Sequence, residues 1–133
     1  TMQNMDMEKE QEIILQNTTL ENVMRYFAEK LKPLGGMTIP AKKEGGTIIT
    51  YTVQGVFPRQ LNKIKVDYTS VVIPNGEVEK AYGYWETYTA MNFEGFQLQP
   101  NTVRIKAECW HPFILPVFDR IWADMLKDFK ADG

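Results

Sequence analysis

Apolar residues recur at every second position through the middle of this chain, and at helical spacing on either side of it. Ile49, Tyr51 and Val53 alternate with Thr50, Thr52 and Gln54. Ile64, Val66, Tyr68 and Val72 alternate with Lys63, Lys65, Asp67 and Thr69. Tyr82, Tyr84, Glu86 and Tyr88 alternate with Gly83, Trp85, Thr87 and Thr89, and Met91 and Phe93 continue the second set. Val103, Ile105, Ala107 and Cys109 alternate with Arg104, Lys106 and Glu108. A period of two lines one face of a strand, whereas i, i+3, i+4 spacing lines one face of a helix.

The helical stripes flank these segments. Glu12-Ile13-Ile14-Leu15-Gln16 is a short apolar run with β-branched residues and predicts a first strand. Thr18-x-x-Glu21 forms a capping box, in which hydroxyl and carboxylate each satisfy an unpaired backbone N–H. Leu20, Val23, Met24, Phe27 and Leu31 share the helical face behind it, and Pro33 with Gly35-Gly36 ends the helix. Near the other end Ile114, Val117, Phe118, Ile121, Trp122, Met125, Leu126 and Phe129 make a second stripe. Pro116 belongs in a first turn, so this helix begins between Ile114 and Pro116. Residues 35–46 read as a loop between two Gly pairs, and Phe57-Pro58-Arg59-Gln60 as a turn. Pro74-Asn75-Gly76-Glu77 is a further turn, because Asn-Gly tolerates positive φ. Phe96-Gln97-Leu98 predicts a short strand ahead of Gln99-Pro100-Asn101.

The expected architecture is α+β: an antiparallel sheet of five to six strands, with an N-terminal and a C-terminal helix packed on one face. Residues 1–11 read as a flexible tail and 12–131 as a single domain. At 133 residues, such a domain buries roughly two-thirds of its unfolded surface and needs no disulfide or metal to hold a core.

Charge and residue counts narrow the function classes. Fifteen Lys and Arg against seventeen Asp and Glu leave a formal charge of −2, so no global field attracts nucleic acid. One Cys and one His exclude an internal disulfide and a four-ligand zinc site. No catalytic residues, cofactor or metal are expected. No apolar run reaches about 18 residues, so no membrane span is expected. The first residues lack the apolar region of a signal peptide. The expectation is a soluble, cytoplasmic, reduced protein.

Three clusters carry chemistry. Cys109 and His111 are two apart, as a thiolate–imidazole nucleophile would be. Cys109 also continues the Val103-Ile105-Ala107 series, where a thiol packs as a small hydrophobe. Glu86 stands in the tyrosine set, as a carboxylate with Tyr neighbours. Tyr82, Tyr84 and Tyr88 fall on one face of their segment and Trp85 and Phe93 on the other. Only one set can pack under the helices, so the remainder reads as a binding surface, because Tyr and Trp offer rigid contact area with a polar tip. Lys63, Lys65 and Arg104 are candidate rim charges.

The stretch Gln99-Pro100-Asn101-Thr102-Val103-Arg104-Ile105-Lys106-Ala107-Glu108-Cys109, followed by Pro112 and Leu115-Pro116-Val117-Phe118, resembles an accessory α+β domain of bacterial multi-domain signalling and defence proteins. That resemblance covers about thirty residues and implies a non-catalytic recognition or adaptor part. The order of elements is also similar to the helix-grip (START-like) fold, which implies a curved sheet around a C-terminal helix and an apolar ligand cavity. The sequence thus yields two functional expectations. The first is a protein-interaction or regulatory module, binding a protein partner or a second copy through Tyr82, Tyr84, Tyr88 and Trp85. The second is a binder of a small apolar ligand, in a cavity lined by Trp122, Phe118 and Tyr51.

Overall fold

A computed structural model of the chain describes residues 7–83 and 87–131. Six strands and two helices follow the order β1 (Lys9–Gln16), α1 (Leu20–Leu31), β2 (Thr38–Glu44), β3 (Thr47–Gln60), β4 (Lys63–Ile73), β5 (Thr87–Gln99), β6 (Thr102–Cys109) and α2 (Leu115–Asp128). The strands form one curled antiparallel sheet in the order β1-β6-β5-β4-β3-β2. The α+β class is therefore as the patterning implies. The first helix is not N-terminal, since β1 precedes it and pairs with β6 at the far end of the chain.

Four local expectations are corrected. Residues 38–44 are a strand rather than a loop, held on one side only, with a register shift between Ile39 and Lys42 around Pro40. An edge strand tolerates proline because one side of its backbone has no ladder to feed. Phe57 to Gln60 continue β3 instead of turning. The pairing of β2 with β3 stops at Thr52, so Pro58 also lies where β3 has a partner on one side only. Tyr82, expected to open the third alternating strand, makes only an isolated bridge to Val72, and Gly83 is in no strand; residues 84–86 lie outside the described residues. Two 3₁₀ turns, Pro74–Gly76 and Val78–Lys80, follow β4, with Asn75 and Gly76 at positive φ. Finally, Phe96-Gln97-Leu98 belongs to β5 itself.

The cap of α1 is shifted by one residue. Asn17 adopts φ 60°, and Thr18 is buried with its N–H donating to the Asn101 carbonyl at 3.2 Å. Thr19 then becomes the N-cap, its hydroxyl accepting from the Asn22 N–H at 3.2 Å. The Glu21 carboxylate accepts from Arg25 one turn later, 2.7 Å away. Thr19→Ala is expected to cost about 1 kcal/mol of stability in urea denaturation, as N-cap losses do.

Two bulges set the curl. Between β3 and β4 the register steps from Val53↔Tyr68 to Gly55↔Asp67, leaving Gln54 as an extra residue. Between β4 and β5 it steps from Val66↔Met91 to Asp67↔Thr89, leaving Ala90 extra. Both lie opposite Asp67. A bulge bends its strand and increases the local twist, so two at one level fold the sheet over its central strand.

The core is built on Phe93. The ring of Phe27 from α1 lies 4.8 Å from it, and that of Phe118 from α2 lies 5.8 Å from it. Val23, Leu31, Val66, Ile105, Ala107, Ile114 and Met125 are fully buried around them. Gly95 lets α1 approach β5 closely, since a methyl group there would stand 2.7 Å from Leu20 Cδ1. The helices are tied at their ends. Tyr26 Oη donates to Asp128 at 2.6 Å, and Lys30 lies 3.5 Å from Asp124.

Candidate functional site

The bulge at Ala90 changes the meaning of the aromatic strand. Because one β5 residue is extra, the side-chain parity switches within the strand. Tyr88 pairs with Tyr68, and Phe93 pairs with Ile64. Tyr68 and Ile64 are both buried and lie on one face of β4. Tyr88 and Phe93 therefore share a face, whereas strict alternation puts them on opposite ones. The switch is visible in the sequence only as the change from an even apolar position, Tyr88, to odd ones, Met91 and Phe93.

Past the bulges, this face forms a groove of about 510 Å³. The register sets Tyr51 beside Ser70, Ile49 beside Val72 and Tyr68 beside Tyr88 across three strands. The corner between β6 and α2 supplies His111, Pro112 and Phe113, and Lys42 of β2 stands at the rim. Edge-to-face ring packing joins the walls. His111 lies 4.4 Å from Tyr51 and 4.6 Å from Tyr68, at interplanar angles of 82° and 90°.

His111 is 1% exposed. Its Nδ1 accepts the Phe113 N–H at 3.1 Å. Its Nε2 is buried and has no hydrogen-bond partner among the described residues. Burial pushes its pKa down to about 4, so the ring is neutral at pH 7. Burial also raises the Tyr68 and Tyr51 phenols above their usual range. At the rim Lys42 pairs with Glu44 at 2.8 Å.

Cys109 does not join this group. It is fully buried in the core, and its thiol donates to the His111 carbonyl at 3.5 Å rather than to the imidazole. Burial pushes the thiol up to about 11, which leaves almost no thiolate, the species that reacts. Cys109 in the native protein is expected to resist thiol reagents, labelling at the rate of global unfolding. Rapid labelling before unfolding would contradict its place in the core.

The other described residues expected to form a surface are dispersed. Tyr82 is 52% exposed and joined to Val72 by a single bridge. Tyr84, Trp85 and Glu86 lie outside the described residues. Lys63 and Lys65 alternate with buried Ile64 and Val66 and so occupy the opposite face from Tyr88. Arg104 is on that outer face too, stacked 4.7 Å from the Phe96 ring and 3.8 Å from Glu12. Lys63 pairs with Glu94, and Lys106 with Glu10. The outer face is thus a lattice of opposite charges rather than a basic rim around tyrosines. Of the expected cavity lining, Tyr51 is in the groove, whereas Phe118 and Trp122 are core residues. Tyr68, Ser70 and Phe113 enter the groove without having stood out in the sequence, because the pairing that gathers them is tertiary.

A second groove, of about 530 Å³, lies between the end of β1 and the last turn of α2. Its Asp128 is already engaged by Tyr26. Among the described residues, no group of three His, Cys, Asp or Glu is placed to hold a metal ion. No described helix is long and apolar enough to cross a membrane. No protein-family model, curated protein or solved structure matches the chain.

Proposed function

We propose that this protein binds a small, mainly apolar molecule in the groove between β3, β4, β5 and the β6–α2 corner, without catalysing a reaction on it. The observation that carries this reading is the lining: Tyr51, Tyr68, Tyr88, Phe113 and His111 meet in a concavity of ligand size with few polar groups. The element order and the ring contacts of Phe27 and Phe118 with Phe93 fit a helix-grip arrangement, with both helices on one sheet face.

The test is a thermal-shift series with bicyclic aromatic compounds, since a ligand that binds only the native state raises the apparent Tm. Binding compounds are expected to raise the Tm of the native sequence and to lose that effect in Ser70→Trp, which fills the groove. A series without a single shift, on protein that carries no small molecule in native mass spectrometry, sinks the reading. A second reading, a protein-interaction or regulatory module, rests on the exposed Tyr82 and Val78. It requires self-association or partner capture that Tyr82→Ala weakens, and unchanged association in that variant removes it.

A further inference from the structure

We infer that the ligand of this groove is a flat, neutral carbonyl compound whose oxygen accepts the Nε2–H of His111, an inference that rests on the binding role proposed above. The first argument is the tautomer. Nδ1 is occupied as an acceptor by the Phe113 N–H, and a neutral imidazole then carries its proton on Nε2. Burial keeps the ring neutral in the physiological range, so the donor is permanent there.

The second argument is that this donor has no acceptor among the described residues. A buried N–H left unpaired is costly, and a face-on aromatic ring recovers only part of a hydrogen bond. The imidazole belongs to the groove wall, with the Tyr51 and Tyr68 rings packed 4.4 and 4.6 Å from it. Tyr68 is buried in the core, whereas Tyr51, the other ring against the imidazole, is only half-buried on the groove side.

The third argument selects a neutral carbonyl over a carboxylate. The only cation among the described lining residues is Lys42, and Glu44 already neutralises it. An anionic head buried beside His111 would lack a countercharge, which is strongly unfavourable in an apolar site. A ketone or related carbonyl on an aromatic body satisfies the donor without that cost.

A matched pair of probes tests this: 2-acetylnaphthalene and 2-isopropenylnaphthalene, which differ by C=O against C=CH₂. Calorimetric titration of the native sequence is expected to show the ketone binding about tenfold tighter, the value of one buried hydrogen bond. His111→Phe should bring the ratio close to one. Because the chain has a single histidine, the imidazole N–H is also a unique nuclear magnetic resonance signal. It should move downfield with the ketone and not with the alkene, a readout that does not depend on the variant folding. Equal affinity of the two probes, or an unmoved imidazole signal on ketone binding, overturns this inference while leaving the groove as a binding site. Failure of both probes to bind also overturns this inference, whereas the binding role itself falls only with the thermal-shift series and native mass spectrometry described above.

Discussion

Phe93→Ala is expected to lower the stability of the fold by about 3–5 kcal/mol, the usual cost of emptying a fully enclosed aromatic site. Phe93 has no exposed surface and is the ring on which Phe27 of α1 and Phe118 of α2 both rest. Its loss therefore leaves a void bounded by two helices and the sheet, and none of the three can collapse into it alone. A domain of this kind has about 5–15 kcal/mol in total, so the variant should unfold at much lower urea concentration with an unchanged m-value. Phe113→Ala is the contrasting control. Phe113 is 39% exposed at the groove, so its removal should cost under about 1 kcal/mol, as changes at partly exposed sites do. If Phe93→Ala behaves as mildly as Phe113→Ala, the core is not organised around that ring.

The second large effect is on acid stability. His111 takes up a proton near pH 6.5 in the unfolded chain and only near pH 4 in the folded one. Between these values the unfolded state binds more protons, so stability falls as pH falls, and the contribution is complete above about pH 6.5. The loss is expected to be about 2 kcal/mol from pH 7 to pH 5, and about 3 kcal/mol by pH 4. Over the first interval most carboxylates remain ionised, which isolates the imidazole. Denaturation midpoints of the native sequence and of His111→Phe settle the point. The variant should be flat from pH 7 to pH 5, and an equal slope in both proteins would assign the acid sensitivity elsewhere.

The elements legible in the sequence are those whose environment is set by one boundary between core and water. β6 alternates without a fault, with Val103, Ile105, Ala107 and Cys109 all fully buried, because one of its faces is core throughout. The stripe of α2 is legible for the same reason, and its start at Leu115 agrees with the constraint from Pro116. β5 departs from its expected alternation because period two is a property of an isolated strand, whereas a bulge is a relation between two strands. The extra residue at Ala90 leaves composition untouched and reverses which side chains share a face. Residues 38–44 escaped detection because an edge strand buries little, so Pro40 and Lys42-Lys43 carry no apolar period. The groove was the least legible feature. Tyr51 stands out in the sequence, but its meeting with Tyr68 and His111 needs three segments placed by the whole fold. The Cys109–His111 spacing was legible and its functional reading was not supported, since the thiol and the imidazole turn to different partners.

The closing of the sheet by β1 has a kinetic consequence. Lys9 of β1 meets Asp119 of α2 across 110 residues of chain, and the whole of β1 pairs with β6 alone. At about 5–20 residues per second, a ribosome needs roughly 5–20 s to deliver that partner, whereas a helix such as α1 forms within about a microsecond. Throughout that interval β1 is a strand with both edges bare. Its two glutamates and its lysine are then what discourage it from pairing with another nascent chain, as charges on unpaired strands do. Vectorial synthesis thus makes the earliest of these six strands the last to be seated.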